Sequence, residues 1–223
     1  MATMEAMPID TIHGLTNATG SPLASPNALQ RVVATGLLRC AVPTSLGGNG
    51  GSLDDLAQAA QALKRQDAEA ATVLWAQRLA IEALVQSSNV GLRELWLPDL
   101  FSGQRAGTLP IGQPPLIGED TGRGWLLRGR FEGVPNLPWE GFSLVAPVCL
   151  GASEGWILLR SEEDGLSVHP ATEHHNPDQA TLHLSKVYFR EDEWLGDADL
   201  SERLVPLAFA LGSCRPHLSA LTY

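Results

Sequence analysis

The densest group of possible metal ligands lies in the segment TEHHNPDQATLHL, residues 172–184. This segment contains Glu173, His174, His175, Asp178 and His183. Adjacent histidines on an extended chain point to opposite sides, so His174 and His175 cannot easily share one ion, and the spacing matches no familiar zinc site. We therefore interpret the segment as a solvated loop between strands and predict no metal site.

Two further segments have compositions that could bind an ion or a phosphate group. SEEDG, residues 161–165, is acidic but lacks the alternating aspartates of a calcium loop, which favours a charged hairpin turn. SLGGNGG, residues 45–51, is glycine-rich and precedes a helix, as phosphate-binding loops do. Because it has no lysine and no preceding strand, we interpret it as a flexible connection between helices.

The elements that would position any site begin with two helices. NALQRVVATGLLRC, from residue 27, has apolar residues at helical spacing behind Asn27 as a possible cap. SLDDLAQAAQALKRQ, from residue 52, has Ser52 followed by Asp55, which predicts a capping box. Its apolar residues form one stripe: Leu53, Leu56, Ala57, Ala60 and Leu63.

Two more helices follow in the first hundred residues. EAATVLWAQRLAIEALVQSS, residues 69–88, is apolar on most faces, which predicts a helix surrounded by protein. GLRELWLPDLFSGQ, residues 91–104, predicts a shorter helix that Pro98 must bend or restart. The N-terminal part is therefore predicted to be a helical bundle.

After Gly107 the apolar period changes from near four to near two. Runs rich in Leu, Val, Phe and Trp are separated by Gly, Pro and Glu-Asp clusters, which predicts an antiparallel sheet or small barrel. From Ser201 the spacing is helical again. The order of helices, strands and a truncated C-terminal helix predicts an α+β fold. The predicted domains are a flexible arm (1–26), a helical domain (27–106), a middle β domain (107–197) and the start of a further helical domain (198–223).

Composition narrows the classes of partner. The chain has 223 residues, 44% of them hydrophobic, and a formal net charge of -10. This acidity argues against a nucleic-acid backbone or an anionic membrane as the main partner. The three cysteines, Cys40, Cys149 and Cys214, suggest neither a disulfide framework nor a zinc site. The sequence shows no leader and no apolar span, so we expect a cytoplasmic protein.

Several motifs resemble those of the acyl-CoA dehydrogenase family of flavoproteins. GLLRCAVPTSLGGNGGSLDDLAQAAQAL is similar to the family's stretch of helix, Val-Pro, Gly-Gly turn and capped helix, and RELWLPDLFSGQ to its R-x-x-W/Y-L-P-x-L-x-S-G segment. GWLLRGR and ATLHLSKVYFREDEWLG resemble strands of its middle domain. The resemblance runs from about Asn27 to the terminus. It implies an acyl-CoA dehydrogenase-like fold, FAD as cofactor and acyl-CoA or a related small molecule as ligand.

The resemblance also implies where a flavin would bind. By order of motifs, the family's two flavin-contacting segments fall at Ile111, Gly112 and Gln113 before Pro114, and at Gly133, Val134 and Pro135. Only Pro114 is the family residue. The Thr and Ser hydroxyls that the family uses are absent, which leaves backbone N–H and C=O groups to bind the ring.

The sequence alone does not identify the catalytic residues. In the family the C-terminal helices supply the carboxylate that abstracts the substrate α-proton, so the resemblance implies that a partner chain or a further domain supplies it here. We expect an FAD-dependent oxidoreductase, or a subunit of one, acting on the CH–CH group of an acyl thioester. The alternatives are a catalytically degenerate binding or scaffold protein of the same fold, or a flavin monooxygenase-like member of the superfamily.

The last segment predicts an association surface. ERLVPLAFALGSCRPHLSALTY carries an apolar stripe, and Pro216 should break its helix after Arg215. An uncovered stripe of this size is uncommon on a monomer. We expect a homo-oligomer or a helical partner chain through residues 203–223. The stripe consists of Leu204, Leu207, Ala208, Leu211, Leu218 and Leu221.

Overall fold

The computed structural model describes residues 26–170 and 179–215. Four helices form its first half: α1 (Pro26–Thr35), α2 (Leu53–Gln66), α3 (Ala68–Gln86) and α4 (Val90–Ser102). Helix α1 begins at Pro26, one residue before the predicted cap. Residues 1–25 of the predicted arm, the last eight residues and residues 172–178 of the predicted loop, with its two adjacent histidines, lie outside the described residues. The rest of that predicted loop, residues 179–184, is instead part of a strand (Gln179–Phe189) and is mostly buried.

The sequence made one prediction about the start of α2 and one about Pro98 in α4. The capping box of α2 is confirmed, since Ser52 Oγ accepts from the Asp55 N–H at 3.1 Å and Asp55 Oδ2 accepts from the Ser52 N–H at 3.2 Å. Helix α4 continues through Pro98 without a restart. Within the described part of the chain, no helix is long and apolar enough to cross a membrane.

Helix α3 is the centre of the helical half. Most of its residues are buried, from Ala70 to Leu84. It packs against α1, α2 and α4 and against the first strand of the sheet. The prediction of a helix surrounded by protein is therefore confirmed. Two of its buried residues are polar, Gln77 and Arg78.

The loop between α1 and α2 is held by its own backbone. The Ala41 N–H donates to Gly50 O at 2.7 Å, and the Gly50 N–H donates to Val42 O at 2.9 Å. A Cβ at Gly48 would lie 2.1 Å from Val42 O, so only glycine allows this approach. The predicted flexible connection is instead a hydrogen-bonded loop.

In the described part of the second half of the chain, eight strands form one sheet. Along the path of the sheet the order is β6-β7-β3-β2-β4-β5-β8, with β1 beside β4. The pairs β1–β4 and β2–β4 are parallel, and the other pairs are antiparallel. The strands are β1 (Ala106–Thr108), β2 (Leu116–Asp120), β3 (Trp125–Pro135), β4 (Phe142–Leu150), β5 (Ser153–Arg160), β6 (Leu166–Pro170), β7 (Gln179–Phe189) and β8 (Trp194–Asp197).

The connection between β5 and β6 shows that the sheet is curved. These strands are five positions apart in the sheet, so a flat sheet would separate them by ~24 Å. Residues 161–165 span ~20 Å at most when fully extended, and turn hydrogen bonds shorten them further. The sheet therefore wraps toward a barrel. The SEEDG segment is a turn, but the predicted hairpin is wrong because β5 and β6 do not pair.

Helix α5 (Leu200–Ala210) returns to the helical half. The described part of the predicted apolar stripe is covered, because Leu204, Leu207 and Leu211 are buried and α5 packs against α2 and α3. Val205 and Phe209 are exposed instead, at 60% and 87%. The α+β fold is confirmed, while the exact domain boundaries stay a prediction.

Candidate functional site

The two segments that the sequence assigned to a cofactor meet in one cleft, although twenty residues separate them. Ile111 and Gln113 line it from the loop after β1, and Gly133, Val134 and Pro135 line it from the end of β3. The remaining lining residues are Trp75, Leu109, Pro110 and Arg215. Gly112 lies in the same turn with a φ of 74°, and the exposed Pro114 follows it; neither lines the cleft.

Gln113 joins the two segments. Its side-chain Nε2 donates to Glu132 O at 2.6 Å, and its Oε1 accepts from the Glu132 N–H at 2.7 Å. The amide thus imitates one step of a strand ladder. Because both ends of the amide are held by the Glu132 backbone, Gln113 fixes the position of the two segments, and only its second Nε2–H is left as a donor.

A buried polar network lies beneath the end of β3. Asn136, which adopts a φ of 58°, donates from Nδ2 to Gln77 Oε1 at 2.8 Å and to Gly107 O at 2.9 Å. Thr108 Oγ1 donates to Pro135 O at 2.9 Å. These bonds fix the backbone that follows Val134, so the floor of the cleft is held by side chains from α3 and β1.

Gln77 is the centre of that network. Its Nε2 donates to Leu100 O at 2.8 Å and to Arg105 O at 3.0 Å, and its Oε1 also accepts from the Gly107 N–H at 2.6 Å. One fully buried amide therefore joins α3, the end of α4, β1 and the end of β3. The sequence did offer a signal for it, since a Gln-Arg pair interrupts an otherwise apolar helix.

Trp75, which lines the cleft, has a hydrogen-bond donor without an acceptor. Its side chain is buried at 4% exposure, and its Nε1–H has no hydrogen-bond partner among the described residues. A buried donor without an acceptor is costly, by about 1–3 kcal/mol. A ligand with a hydrogen-bond acceptor in the cleft would remove that cost.

Arg78 follows Trp75 by three residues and so lies on the same side of α3. Its guanidinium is fully buried, and its nearest anionic partner is the Glu82 carboxylate at 3.6 Å. Within the described chain none of its nitrogens makes a hydrogen bond. Burial lowers the pKa of Arg78, while Glu82 and then Cys40 oppose that shift.

The cleft is narrow and lacks acid–base groups. Its cavity volume is ≈ 10 Å³, room for about one water molecule, so a planar ring would have to displace the Arg215 end of the chain to enter. Among the described residues that line it, none is a carboxylate or an imidazole. The cleft can therefore bind and orient a ligand, but a proton acceptor must come from elsewhere.

Two other groups with chemical potential lie outside the cleft. GASEG, residues 151–155, matches the G-x-S-x-G pattern of a serine nucleophile, but Ser153 begins β5 after a strand-to-strand turn, where a nucleophile elbow requires a strand-to-helix turn. The rings of His169 and His183 have centroids 4.6 Å apart and are tilted by 54°. Burial, followed by His169 and Arg130, lowers the pKa of His183.

Residues 17–104 match the family model described as acyl-CoA dehydrogenase, N-terminal domain. No curated protein sequence matches the chain. Among solved structures, the chain is similar to a glutaryl-CoA dehydrogenase from Mycobacterium smegmatis in complex with FADH2, with a TM-score of 0.73 and 14% identity. That match covers 86% of this chain and 52% of the other.

Two further structures are complexes of two named proteins. The ChsE4-ChsE5 complex from Mycobacterium tuberculosis matches with a TM-score of 0.67 and 20% identity, covering 83% of this chain and 52% of that one. The Tcur3481-Tcur3483 steroid ACAD, a variant, matches with a TM-score of 0.67 and 25% identity, covering 88% and 55%. The chain thus spans about half the length of these structures. Its N-terminal helices match the sequence model of the acyl-CoA dehydrogenase N-terminal domain, and its helices and sheet together share the fold of these dehydrogenase structures.

Proposed function

We propose that this chain supplies the helical and β parts of a flavin site in an acyl-CoA dehydrogenase-like oxidoreductase that acts on the CH–CH group of an acyl thioester. One observation supports the proposal above the others. A single cleft is lined by residues of two separate segments, 111–113 and 133–135. Trp75 also lines it, and its indole N–H has no hydrogen-bond acceptor among the described residues.

Three features of the cleft fit FAD. The Trp75 N–H would donate to an acceptor atom on the polar edge of the flavin ring. Gly133, with a φ of 60° and no Cβ, lets the ring approach the backbone of β3. Ile111 and Val134 provide apolar contact. When bound, FAD supplies the two-electron acceptor for oxidation of the acyl chain.

The proposal assigns the proton-abstracting carboxylate to a partner chain or to protein outside the described residues, because the cleft offers none. The exposed Val205 and Phe209 lie one turn apart on α5, and Arg215, which lines the cleft, follows in the same C-terminal segment. We infer that a second copy or a helical partner docks through residues 203–223 on this face, of which 203–215 are described. Such docking would also move the Arg215 end and open the cleft.

The test is flavin binding measured without turnover. We expect the purified chain, alone or with its partner, to take up FAD, seen as visible flavin absorbance after gel filtration. Trp75→Phe removes the unanswered N–H and should weaken FAD binding by about five-fold or more. Trp139→Phe makes the same change at an exposed loop residue and should leave FAD affinity unchanged.

Colourless protein both alone and in the presence of partner would rule out the flavin proposal. The absence of a carboxylate or imidazole among the described residues that line the cleft then favours the alternative, a binding protein of the same fold. Calorimetry with acyl-CoA in the absence of FAD distinguishes the two, because only a binding protein would retain the thioester ligand without flavin.

A further inference from the structure

A second cavity lies at the opposite end of β3 from the cleft. It is lined by Trp125, Leu150, Ser153, Phe189, Glu191 and Trp194, and its volume is ≈ 390 Å³. Strand β3 runs from Trp125 to Pro135, so roughly 30 Å of strand separates the two sites. The cavity lies where the ends of five strands, β3, β4, β5, β7 and β8, come together, and such concave surfaces are where small-molecule sites form.

Two glycines allow aromatic rings to lie close to the sheet around this cavity. A Cβ at Gly118 would be 2.4 Å from Leu150 Cδ2 and 3.1 Å from Trp125 Cε3. A Cβ at Gly155 would be 2.2 Å from Trp194 Cζ2. Any larger residue would push these side chains outward, so the sequence keeps the rings against the backbone on both sides of the cavity.

The aromatic lining is arranged on several sides. The rings of Phe189 and Trp194 have centroids 6.3 Å apart and are tilted by 57°. Phe189 is buried, while Trp125 and Trp194 are half-buried and so keep ring surface toward solvent. Trp faces carry the strongest negative quadrupole of the natural side chains and attract cations.

The charged residues in and beside the cavity are acidic by a small excess. Glu191 is the ionisable residue in its lining, and in the described structure its carboxylate makes no hydrogen bond or ion pair. An adjoining groove shares Trp125, Phe189 and Glu191 and adds Asp120, Asp192, Arg123 and Arg190. The Arg190 guanidinium lies 4.0 Å from the Glu193 carboxylate. The chain as a whole carries a formal charge of -10.

We propose that this cavity binds a small organic cation of the alkylammonium class, held by the rings of Trp125, Phe189 and Trp194 and by the carboxylate of Glu191. A neutral apolar ligand would use the rings but gain nothing from the carboxylate. An anion would be repelled by Glu191. The site does not depend on flavin binding in the cleft.

Choline is the probe, and 3,3-dimethylbutan-1-ol, its neutral carbon isostere, is the matched ligand. In an NMR titration of the full chain we expect saturable shifts of the Trp125 and Trp194 indole N–H signals with choline, assigned with Trp→Phe variants. Choline should bind at least ~5-fold more tightly than the isostere. Glu191→Gln should weaken choline binding by about three-fold or more. Glu140→Gln, at an exposed loop residue outside the lining, should not.

Three results would overturn the proposal. These are absence of saturable choline binding, equal affinity for the neutral isostere, and equal choline affinity in Glu191→Gln and the parent. Glu191 is exposed, so its substitution should not impair folding, and circular dichroism of each variant verifies this. A loss of the preference for choline in Trp125→Leu would add independent support for the aromatic contribution.

Discussion

The two ends of strand β3 differ in how their polar groups are used. At the Pro135 end, called the inner end below, the polar side chains of Gln77, Thr108 and Asn136 are buried and hydrogen-bonded. The cleft there has a volume of only ≈ 10 Å³. At the Trp125 end, called the outer end below, Glu191 is exposed and the cavity has a volume of ≈ 390 Å³. The inner end is therefore fixed in place by the helices, whereas the outer end is an open cavity formed by strand ends and by the turn that contains Glu191.

The largest expected effect tests the inner end. Gln77→Leu would leave two carbonyl groups, one backbone N–H and the Asn136 amide without their partner in a buried site. Each such group costs about 1–3 kcal/mol, so the free energy of unfolding should fall by at least about 4 kcal/mol. Gln61→Leu is the control, because Gln61 is exposed on α2 and should change stability by less than about 0.5 kcal/mol. Equal stability of the two variants in denaturant unfolding would contradict the comparison.

The second prediction separates hydrogen bonding from backbone strain at Asn136. Asn136→Gly loses two hydrogen bonds but keeps the φ of 58° without strain, at a cost of about 2 kcal/mol. Asn136→Ala loses the same bonds and adds about 1 kcal/mol for an alanine in the left-handed region. Denaturant unfolding should therefore rank the parent above the glycine variant and the alanine variant last. A more stable alanine variant would show that the β3 end relaxes freely.

The third prediction moves to the outer end. Gly155→Ala places a Cβ 2.2 Å from Trp194 Cζ2 and 2.7 Å from Gly196 O, so Trp194 must move at a cost of about 1–3 kcal/mol. Trp fluorescence should shift as the ring becomes more exposed. Gly212→Ala is the control, since its Cβ would meet nothing within 4 Å. We expect that variant to be as stable as the parent or slightly more stable.

Local patterns predicted much of this fold because they depend on residues close in sequence. The Ser52–Asp55 capping box and the buried α3 were both predicted from spacing alone. Sheet order was not, because pairing depends on distant segments. The adjacent strands β5 and β6 looked like a hairpin but lie five positions apart. The apolar stripe of α5 was correctly located, yet spacing could not reveal that α2 and α3 cover it.

The candidate cleft was predictable only in part. The resemblance placed 111–113 and 133–135 near a ligand, and the structure brings five of those six residues to one cleft. Their role in binding FAD stays a prediction. The contribution of Trp75 was missed, because it lies more than thirty residues earlier on a helix whose apolar pattern indicates only core packing. The bond between Gln113 and the Glu132 backbone likewise follows from three-dimensional contact and has no sequence pattern.

The smallest predicted effect concerns the pH dependence of stability at the outer end. Glu193 is 7% exposed, and burial raises the pKa of its carboxyl above the ordinary value of 4.5. Arg190 opposes this shift through a hydrogen bond from its N–H to Oε2 at 3.0 Å, while Glu163 and Asp192 add to it. Because the folded state holds the proton more tightly, this group favours folding fully below pH 4.5 and loses that contribution as the pH rises through its raised pKa.

Glu193→Gln keeps an acceptor for the Arg190 N–H and cannot ionise. We therefore expect it to melt at a higher temperature than the parent at neutral pH, with the difference shrinking as the pH falls toward 4.5. Glu191→Gln, which changes an exposed carboxylate two residues away, is the control and should show no such pH-dependent gain. A Glu193→Gln variant less stable than the parent at neutral pH would mean that the carboxylate is stabilised by Arg190 more than burial disfavours it.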